Sequence, residues 1–298
     1  MPIRLGFSPE FRALYAALAD TVVDAFKFQQ PLLNGLVRVL FAVPTLQIVR
    51  LGETYEQTLA ADGHNQNAAR WLLSVYASAV HQHNADLAPA TGPLLVVCNH
   101  AGMGDAALVF ATLPRTDVYT VVLKRGILNG LRQFNNYIII VDENNRSAAL
   151  RAMIRRLRAG QTVLLFPRGQ IEEDPGLDLP GALASLPDWS ASIELVARQV
   201  PDLTVQPVAV GGLISRKALS TPICRAYRTP ANRNFLAATF QLMFKSFNDP
   251  HVSIAYAPPL RGDAITLPNV QAAMTELLTA IAAEQAALVE QGQLRRLP

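Results

Sequence analysis

Residues 94–109 read LLVVCNHAGMGDAALV. The apolar run Leu94–Cys98, rich in β-branched residues and followed by a turn, has the pattern of a strand buried on both faces. It stops at Asn99-His100, passes through Ala101-Gly102-Met103-Gly104, and enters a second apolar run of helical character at Asp105. His100 is thereby placed at the carboxyl end of a core strand and Asp105 in the first turn of the next helix. Ligands of open α/β sheets bind at that edge. An imidazole titrates near neutrality and takes a proton from a hydroxyl when its other ring nitrogen is held. A carboxylate five residues on, brought back by the glycine-bearing turn, can accept that second N–H and fix the tautomer. The stretch has no obvious nucleophile. Cys98 could share a face with His100, because alternate strand positions do, so a Cys–His pair stays open. So does the plainer alternative, a strand-end histidine followed by an aspartate that caps a helix.

Outward from this unit the pattern repeats. Val118–Leu123, Tyr137–Val141, Thr162–Phe166, Thr204–Val210 and Val252–Tyr256 are further strand-like runs, with helical segments at Ala106–Leu113, Ser147–Ala159 and Ser192–Gln199. Continuous apolar strands alternating with helices predict an α/β fold with a mostly parallel central sheet flanked by helices. Asn232–Phe247 and Asn269–Gln291 read as two further helices. Upstream, residues 9 to about 88 read as helical throughout, punctuated by Pro31, Pro44 and Gly63. The loop at 87–93 then divides the chain into an N-terminal helical region, 1–90, and an α/β domain with a C-terminal helix, 91–298.

Half of the 298 residues are hydrophobic and 16% are charged, which supplies a sizeable core and argues against wholesale disorder. The net charge is only +3, but the cations are nearly all arginine, suited to planar contacts with phosphate or carboxylate. Lys124, Arg125, Arg132, Arg146, Arg168 and the helix face Arg151, Arg155, Arg158 outnumber Asp117, Asp142 and Glu143 in the middle of the chain. That imbalance predicts a positive field for phosphate-bearing ligands or an anionic membrane. No aromatics interleave with it, so nucleic acid is not an expected partner. Two cysteines, Cys98 and Cys224, make neither a disulfide framework nor a CxxC site. No metal is expected, and the setting is expected to be reducing and cytoplasmic. The N-terminal twenty residues lack the pattern of a secretory leader.

Leu32–Val49 is the most apolar long window, but Asn34, Arg38, Pro44 and Gln47 leave it short of a membrane span. It reads either as a buried helix or as a segment dipping into one leaflet, which would make the protein peripheral to the inner face of the membrane. The cluster Phe235, Phe240, Met243, Phe244 and Phe247 offers the same pair of readings, lipid contact or a helical cap on the core.

A second chemical stretch, Phe166-Pro167-Arg168-Gly169-Gln170, follows its strand directly. Pro167 cannot donate to a ladder, and Gly169 permits a tight turn with exposed backbone amides. Such amides at a strand end can bind an oxyanion or a phosphate. The acids Glu172, Glu173 and Asp174 come next.

This order of parts resembles the glycerolipid acyltransferase superfamily, the lysophosphatidate and glycerol-3-phosphate acyltransferases. Asn99-His100-Ala101-Gly102-Met103-Gly104-Asp105 matches the family's NHxxxxD motif completely. Lys124-Arg125-Gly126-Ile127-Leu128 is similar to the lysine landmark after the second strand, without its glutamate. Tyr137–Glu143 resembles the second motif, G-x-I-F-I-D-R, with Asp142 kept, Tyr137 in place of Gly and Glu143 in place of Arg. Phe166–Glu172 resembles the third, F-P-E-G-T-R-S, with Arg168, Gln170 and Ile171 in place of Glu, Thr and Arg. The apolar strand with central Pro207 and the segment Ala255–Leu260 resemble the later landmarks, so the resemblance spans roughly residues 90 to 262.

The resemblance implies acyl transfer from an acyl thioester, acyl-CoA or acyl-carrier protein, to a hydroxyl of a lipid acceptor such as a lysophospholipid or a glycerol phosphate. It makes His100 the general base and Asp105 its orienter, with no acyl-enzyme and no resident cofactor. Asn99, Lys124, Arg146, Arg168, Gly169 and Gln170 become candidate substrate-binding residues. The amides near Gly169 are expected to face the developing oxyanion, and Arg168 is expected to lower the pKa of His100. The departures fall on residues that bind the acceptor in the family. They leave open an acceptor without a phosphate, and a non-catalytic relative that binds a lipid or an acyl chain.

Overall fold

The computed structural model describes residues 9–124, 126–142 and 145–297. Four helices come first: α1 (Pro9–Phe26), α2 (Pro31–Leu40), α3 (Ala42–Asp62) and α4 (Asn65–Tyr76). Pro44 was expected to break a helix but lies in the first turn of α3, where a missing N–H removes no intrahelical bond. The helical reading to residue 88 is corrected at 79–83. There β1 (Ala79–His83) is a strand, and it pairs in parallel with a strand from the far end of the chain.

The sheet-forming part then runs β2 (Leu94–Cys98), α5 (Asp105–Thr112), β3 (Val118–Leu123), β4 (Ile138–Val141), α6 (Arg146–Arg158) and β5 (Thr162–Leu165). It continues through α7 (Leu179–Ala184), α8 (Ser192–Gln199), β6 (Thr204–Gly211), α9 (Arg216–Leu219), α10 (Pro222–Arg225) and α11 (Pro230–Met243). β7 (His251–Tyr256), β8 (Leu260–Arg261) and α12 (Leu267–Glu290) close the chain. The strand order is β1-β7-β6-β2-β5-β3-β4, with β8 beside β6. β6, β2, β5, β3 and β4 are mutually parallel, while β7 runs against β6. The fold is α/β with a mostly parallel sheet and an N-terminal helical region.

Five parallel strands put five carboxyl ends on one edge of the sheet. The segments that follow β2, β5, β3 and β4 therefore meet there, although 43 positions separate 99 from 142 and 69 separate 99 from 168. β2 is buried along its whole length, and its side chains alternate between two cores. Leu94, Val96 and Cys98 join Leu73 and Tyr76 of α4 and Leu108 and Val109 of α5. Leu95 and Val97 join α6, α8 and α12 on the other face. α12 is long and apolar enough to cross a membrane by length and composition, but its Val270, Met274, Leu278 and Ile281 pack in this second core.

A third core holds α1 and parts of α2 and α3 against α9 and α11. Phe240 and Met243 are buried in it, and Phe26, Phe41, Phe240, Phe244 and Phe247 contact one another ring to ring. Of the two readings of the phenylalanine cluster, these contacts favour the cap on the core. α2 and the start of α3 differ. Val37, Ile48 and Val49 face the core, but Leu32 is 85% exposed and Val39 75%, with Leu36, Leu40 and Val43 also exposed.

Candidate active site

β2 ends at Cys98, and the side chain of Asn99 continues its work. Its Nδ2 donates to the Val210 carbonyl (2.9 Å) and its Oδ1 accepts from the Val210 N–H (2.8 Å). The amide imitates one more peptide unit and extends the β2–β6 ladder past its last backbone pair, Cys98↔Val208. Asn99 is buried with both polar ends occupied, so its expected contact with substrate is corrected to a structural role.

The turn from Ala101 to Gly104 brings Asp105 back to His100, whose Nδ1 lies 2.5 Å from Asp105 Oδ2. The carboxylate is otherwise enclosed, accepting the Ala106 N–H at 2.7 Å on Oδ1. The two glycines serve close packing, since neither has a positive φ. A Cβ on Gly104 would sit 3.0 Å from the ring of Tyr76, and one on Gly102 3.4 Å from Leu213 Cβ. The Tyr76 hydroxyl donates to the Leu213 carbonyl at 2.8 Å, tying α4 to the loop after β6 behind the turn. Sequence reading gave Tyr76 no role, because nothing local marks a contact made across the fold.

The imidazole of His100 stacks on Phe166, with ring centres 4.7 Å apart. Its side chain is 29% exposed, and among the described residues Nε2 has no hydrogen-bond partner. One nitrogen is therefore held by a buried carboxylate while the other opens to the strand-end edge. Burial works against the imidazolium, but the charge and hydrogen bond of Asp105, and then the charge of Glu172, outweigh it, so His100 titrates above its ordinary value. The expected lowering by Arg168 is corrected. That guanidinium turns away, donating to the Ile171 carbonyl (3.2 Å) and approaching Asp188 (3.5 Å).

Glu172 is the residue that sequence reading left without a function. Its Oε2 accepts the His100 backbone N–H at 2.6 Å, and its own N–H donates to the His100 carbonyl at 2.7 Å. On the far side, Oε1 accepts from Trp189 Nε1 at 2.8 Å and lies 2.6 Å from Ser185 Oγ. Two residues on, buried Asp174 accepts the N–H groups of Gly176, Gly212 and Leu213 at 2.8, 2.9 and 2.8 Å. The run of acids after the FPRG turn was the available signal, since acids on so apolar a background need partners.

The FPRG turn itself is closed by a bond from the Gly169 N–H to the Phe166 carbonyl (3.0 Å), with Gly169 at φ 70°. The Gly169 amide itself is spent on the turn. Gly169 and Gln170 are exposed at the same edge as His100. Lys124 follows β3 and reaches Asp142 after β4, Nζ to Oδ2 3.4 Å. Arg146 is exposed as the first residue of α6. With β5 between, the end of β3 is two strand spacings from β2, roughly 10 Å, and the end of β4 roughly 14 Å. Arg125 and Glu143 lie outside the described residues.

Cys98 is fully buried, and burial first, then Asp105 and Glu172, push its thiol well above the ordinary range. A thiolate is the nucleophilic form, so the Cys–His reading is corrected: Cys98 is a core residue.

The Acyltransferase family model matches residues 79–211, which run from β1 through the NHxxxxD turn and the FPRG turn to the end of β6. The match covers fewer than half of the 298 residues and supports an acyltransferase domain over this segment. Among solved structures, the chain is similar to the 1-acyl-sn-glycerophosphate (LPA) acyltransferase of Thermotoga maritima. The two are 13% identical, 92% of this chain and 94% of that one are covered, and the TM-score is 0.47. Comparison with curated proteins gave no match.

Proposed function

We propose that the chain moves a fatty acyl group from an acyl thioester, acyl-CoA or acyl-carrier protein, to a hydroxyl of a lipid acceptor such as a lysophospholipid or a glycerol phosphate. The observation that carries this reading is the held Nδ1 and open Nε2 of His100. Nε2 accepts the proton of the acceptor hydroxyl as its oxygen attacks the thioester carbonyl. Asp105 keeps the proton on Nδ1 and stabilises the imidazolium. When the tetrahedral intermediate collapses, the C–S bond breaks and the thiol leaves with the proton from Nε2. One ester and one thiol result, and no protein nucleophile or resident cofactor takes part.

The raised basicity of His100 suits proton acceptance and sets the sign of the pH response. Only neutral imidazole is a base, so kcat/KM rises with pH through a midpoint above about 6.5, the ordinary histidine value. Product analysis by mass spectrometry, with mixed acyl donors and lysolipid, glycerol phosphate and phosphate-free hydroxyl acceptors, tests the reading. Wild type forms an ester, and His100→Ala loses it by about 10²–10⁴-fold. Undiminished ester formation in His100→Ala would sink the mechanism. Acyl-chain binding without any transfer by wild type would favour the non-catalytic binder instead.

Lys124 and Arg168 each lie beside an acid, and family arginines are replaced at Glu143 and Ile171. This favours, as a second reading, an acceptor hydroxyl without a phosphate, and the same acceptor panel separates the two.

Attachment to an anionic membrane is part of the proposal, through the exposed apolar face Leu32, Leu36, Val39, Leu40 and Val43, where α2 and α3 meet at a 63° bend. An exposed patch of this kind marks an interaction surface. Flotation with vesicles containing phosphatidylglycerol should carry wild type upward and leave a Leu32→Ser/Val39→Ser variant behind. Wild type remaining at the bottom at low salt refutes attachment.

A further inference from the structure

We infer that Glu172 is the positioning residue of the His100–Asp105 pair, a buried carboxylate that fixes where the imidazole stands relative to the open edge of the sheet. The inference rests on His100 acting as the base. At this point the chain has left its strand: the last backbone pair of β2 with β5 is Val97↔Leu165, and with β6 Cys98↔Val208. His100 would otherwise have its own N–H and carbonyl unsupported by any ladder. Glu172 takes both, the N–H with its side chain at 2.6 Å and the carbonyl with its backbone at 2.7 Å. A reciprocal pair of bonds fixes orientation as well as distance, because two anchor points stop His100 from pivoting.

The carboxylate is itself anchored. Trp189 and Ser185, on the segment between α7 and α8, hold Oε1 while Oε2 holds His100. Glu172, Ser185 and Trp189 are all buried, so water does not compete for these bonds. Arg168, bonded to the Ile171 carbonyl, braces the turn that delivers Glu172. The arrangement is polarised as well as rigid. Asp105 meets the imidazole and Glu172 the backbone, so two carboxylates flank one base, and both favour its protonated form. A base held this way is placed before substrate arrives, which is where positioning contributes most to rate.

The test is Glu172→Gln, which keeps the shape, removes the charge, and leaves a single oxygen for two fixed donors. The His100 imidazole proton signals are followed by NMR titration without substrate. Turnover of palmitoyl-CoA is measured with the acceptor identified in the product analysis. Glu172→Gln should titrate His100 at lower pH than wild type, move the acid limb of kcat/KM the same way, and lower kcat by roughly 10- to 100-fold with little change in KM. Glu172→Asp keeps the charge on a shorter arm and should restore the titration position but not the full kcat. A folded Glu172→Gln with wild-type kcat and an unmoved titration overturns the inference. Should Glu172→Gln fail to fold, Trp189→Phe replaces it, loosening the carboxylate with its charge intact. It should lower kcat without moving the titration, and unchanged kcat in folded Trp189→Phe also overturns the inference. Undiminished turnover in His100→Ala would instead remove the base on which the inference rests, so the two failures are distinguishable.

Discussion

The ends of β2 and of β3, two strand spacings apart on the same edge, are built on opposite terms. After β2, the polar groups around His100 other than its open Nε2 are held by buried partners: Asp105 on the ring, Glu172 on the backbone, Asn99 on β6. After β3, Lys124 stands 70% exposed with only a 3.4 Å approach to Asp142, and Arg146 on α6 is exposed beyond it. A base must be within hydrogen-bond reach of one proton in one direction, and buried acids supply that constraint. A cation that meets an anionic group needs reach more than direction, and a long exposed arm supplies that. On the proposed function, the difference separates a part of the site that performs chemistry from a part that selects what is brought to it.

The comparison is easiest to break at Asp105. Asp105→Asn removes the charge and can leave the wrong tautomer on His100, so kcat should fall by about 10³-fold. The largest cause raising the His100 pKa disappears with it, so the acid limb of kcat/KM should move to lower pH. Stability should respond in the matching sense. A histidine raised in the folded state stabilises fully below its unfolded value and loses that contribution as pH rises through the folded value. Asp105→Asn should therefore flatten the dependence of melting temperature on pH across that window. A variant within threefold of wild-type kcat would show that Asp105 is only a helix-start residue, and the contrast between the two strand ends would collapse.

What could be read from the chain follows the range of each interaction. The strands at 94, 118, 138, 162, 204 and 251 announce themselves because they are apolar on consecutive positions, which local pattern records. β1, Ala-Val-His-Gln-His, does not, because an edge strand with one neighbour needs little apolar surface and here is largely exposed. The His100–Asp105 pair was legible because its partners are five residues apart and the turn between them is short. Asn99 was visible as a polar residue ending an apolar run and Glu172 as one of three consecutive acids, but their partners lie 111 and 72 residues away. Neither distance is encoded in spacing. Arg168 is a related case, because its expected lowering of the His100 pKa depends on which way the guanidinium turns. A guanidinium beside a strand end suggests an anion site, yet the nearest acceptors, the Ile171 carbonyl and Asp188, belong to its own scaffold.

The smallest expected effect sharpens the comparison from the other side. Lys124→Ala removes an exposed cation whose pairing with Asp142 is worth no more than about 1 kcal/mol, so folding should be unaffected and the melting temperature unchanged within error. If Lys124 contributes to acceptor binding only as one exposed charge among several, KM should rise by less than about fivefold, an effect of the same 1 kcal/mol order. The kcat should stay at its wild-type value, because the end of β3 lies two strand spacings, roughly 10 Å, from the end of β2. High salt should erase even that difference, since exposed charges are screened. A fall in kcat comparable to that of Asp105→Asn would mean that the end of β3 closes onto the base during turnover. The division between a rigid chemical end and a loosely held selective end would then be a property of the empty enzyme alone.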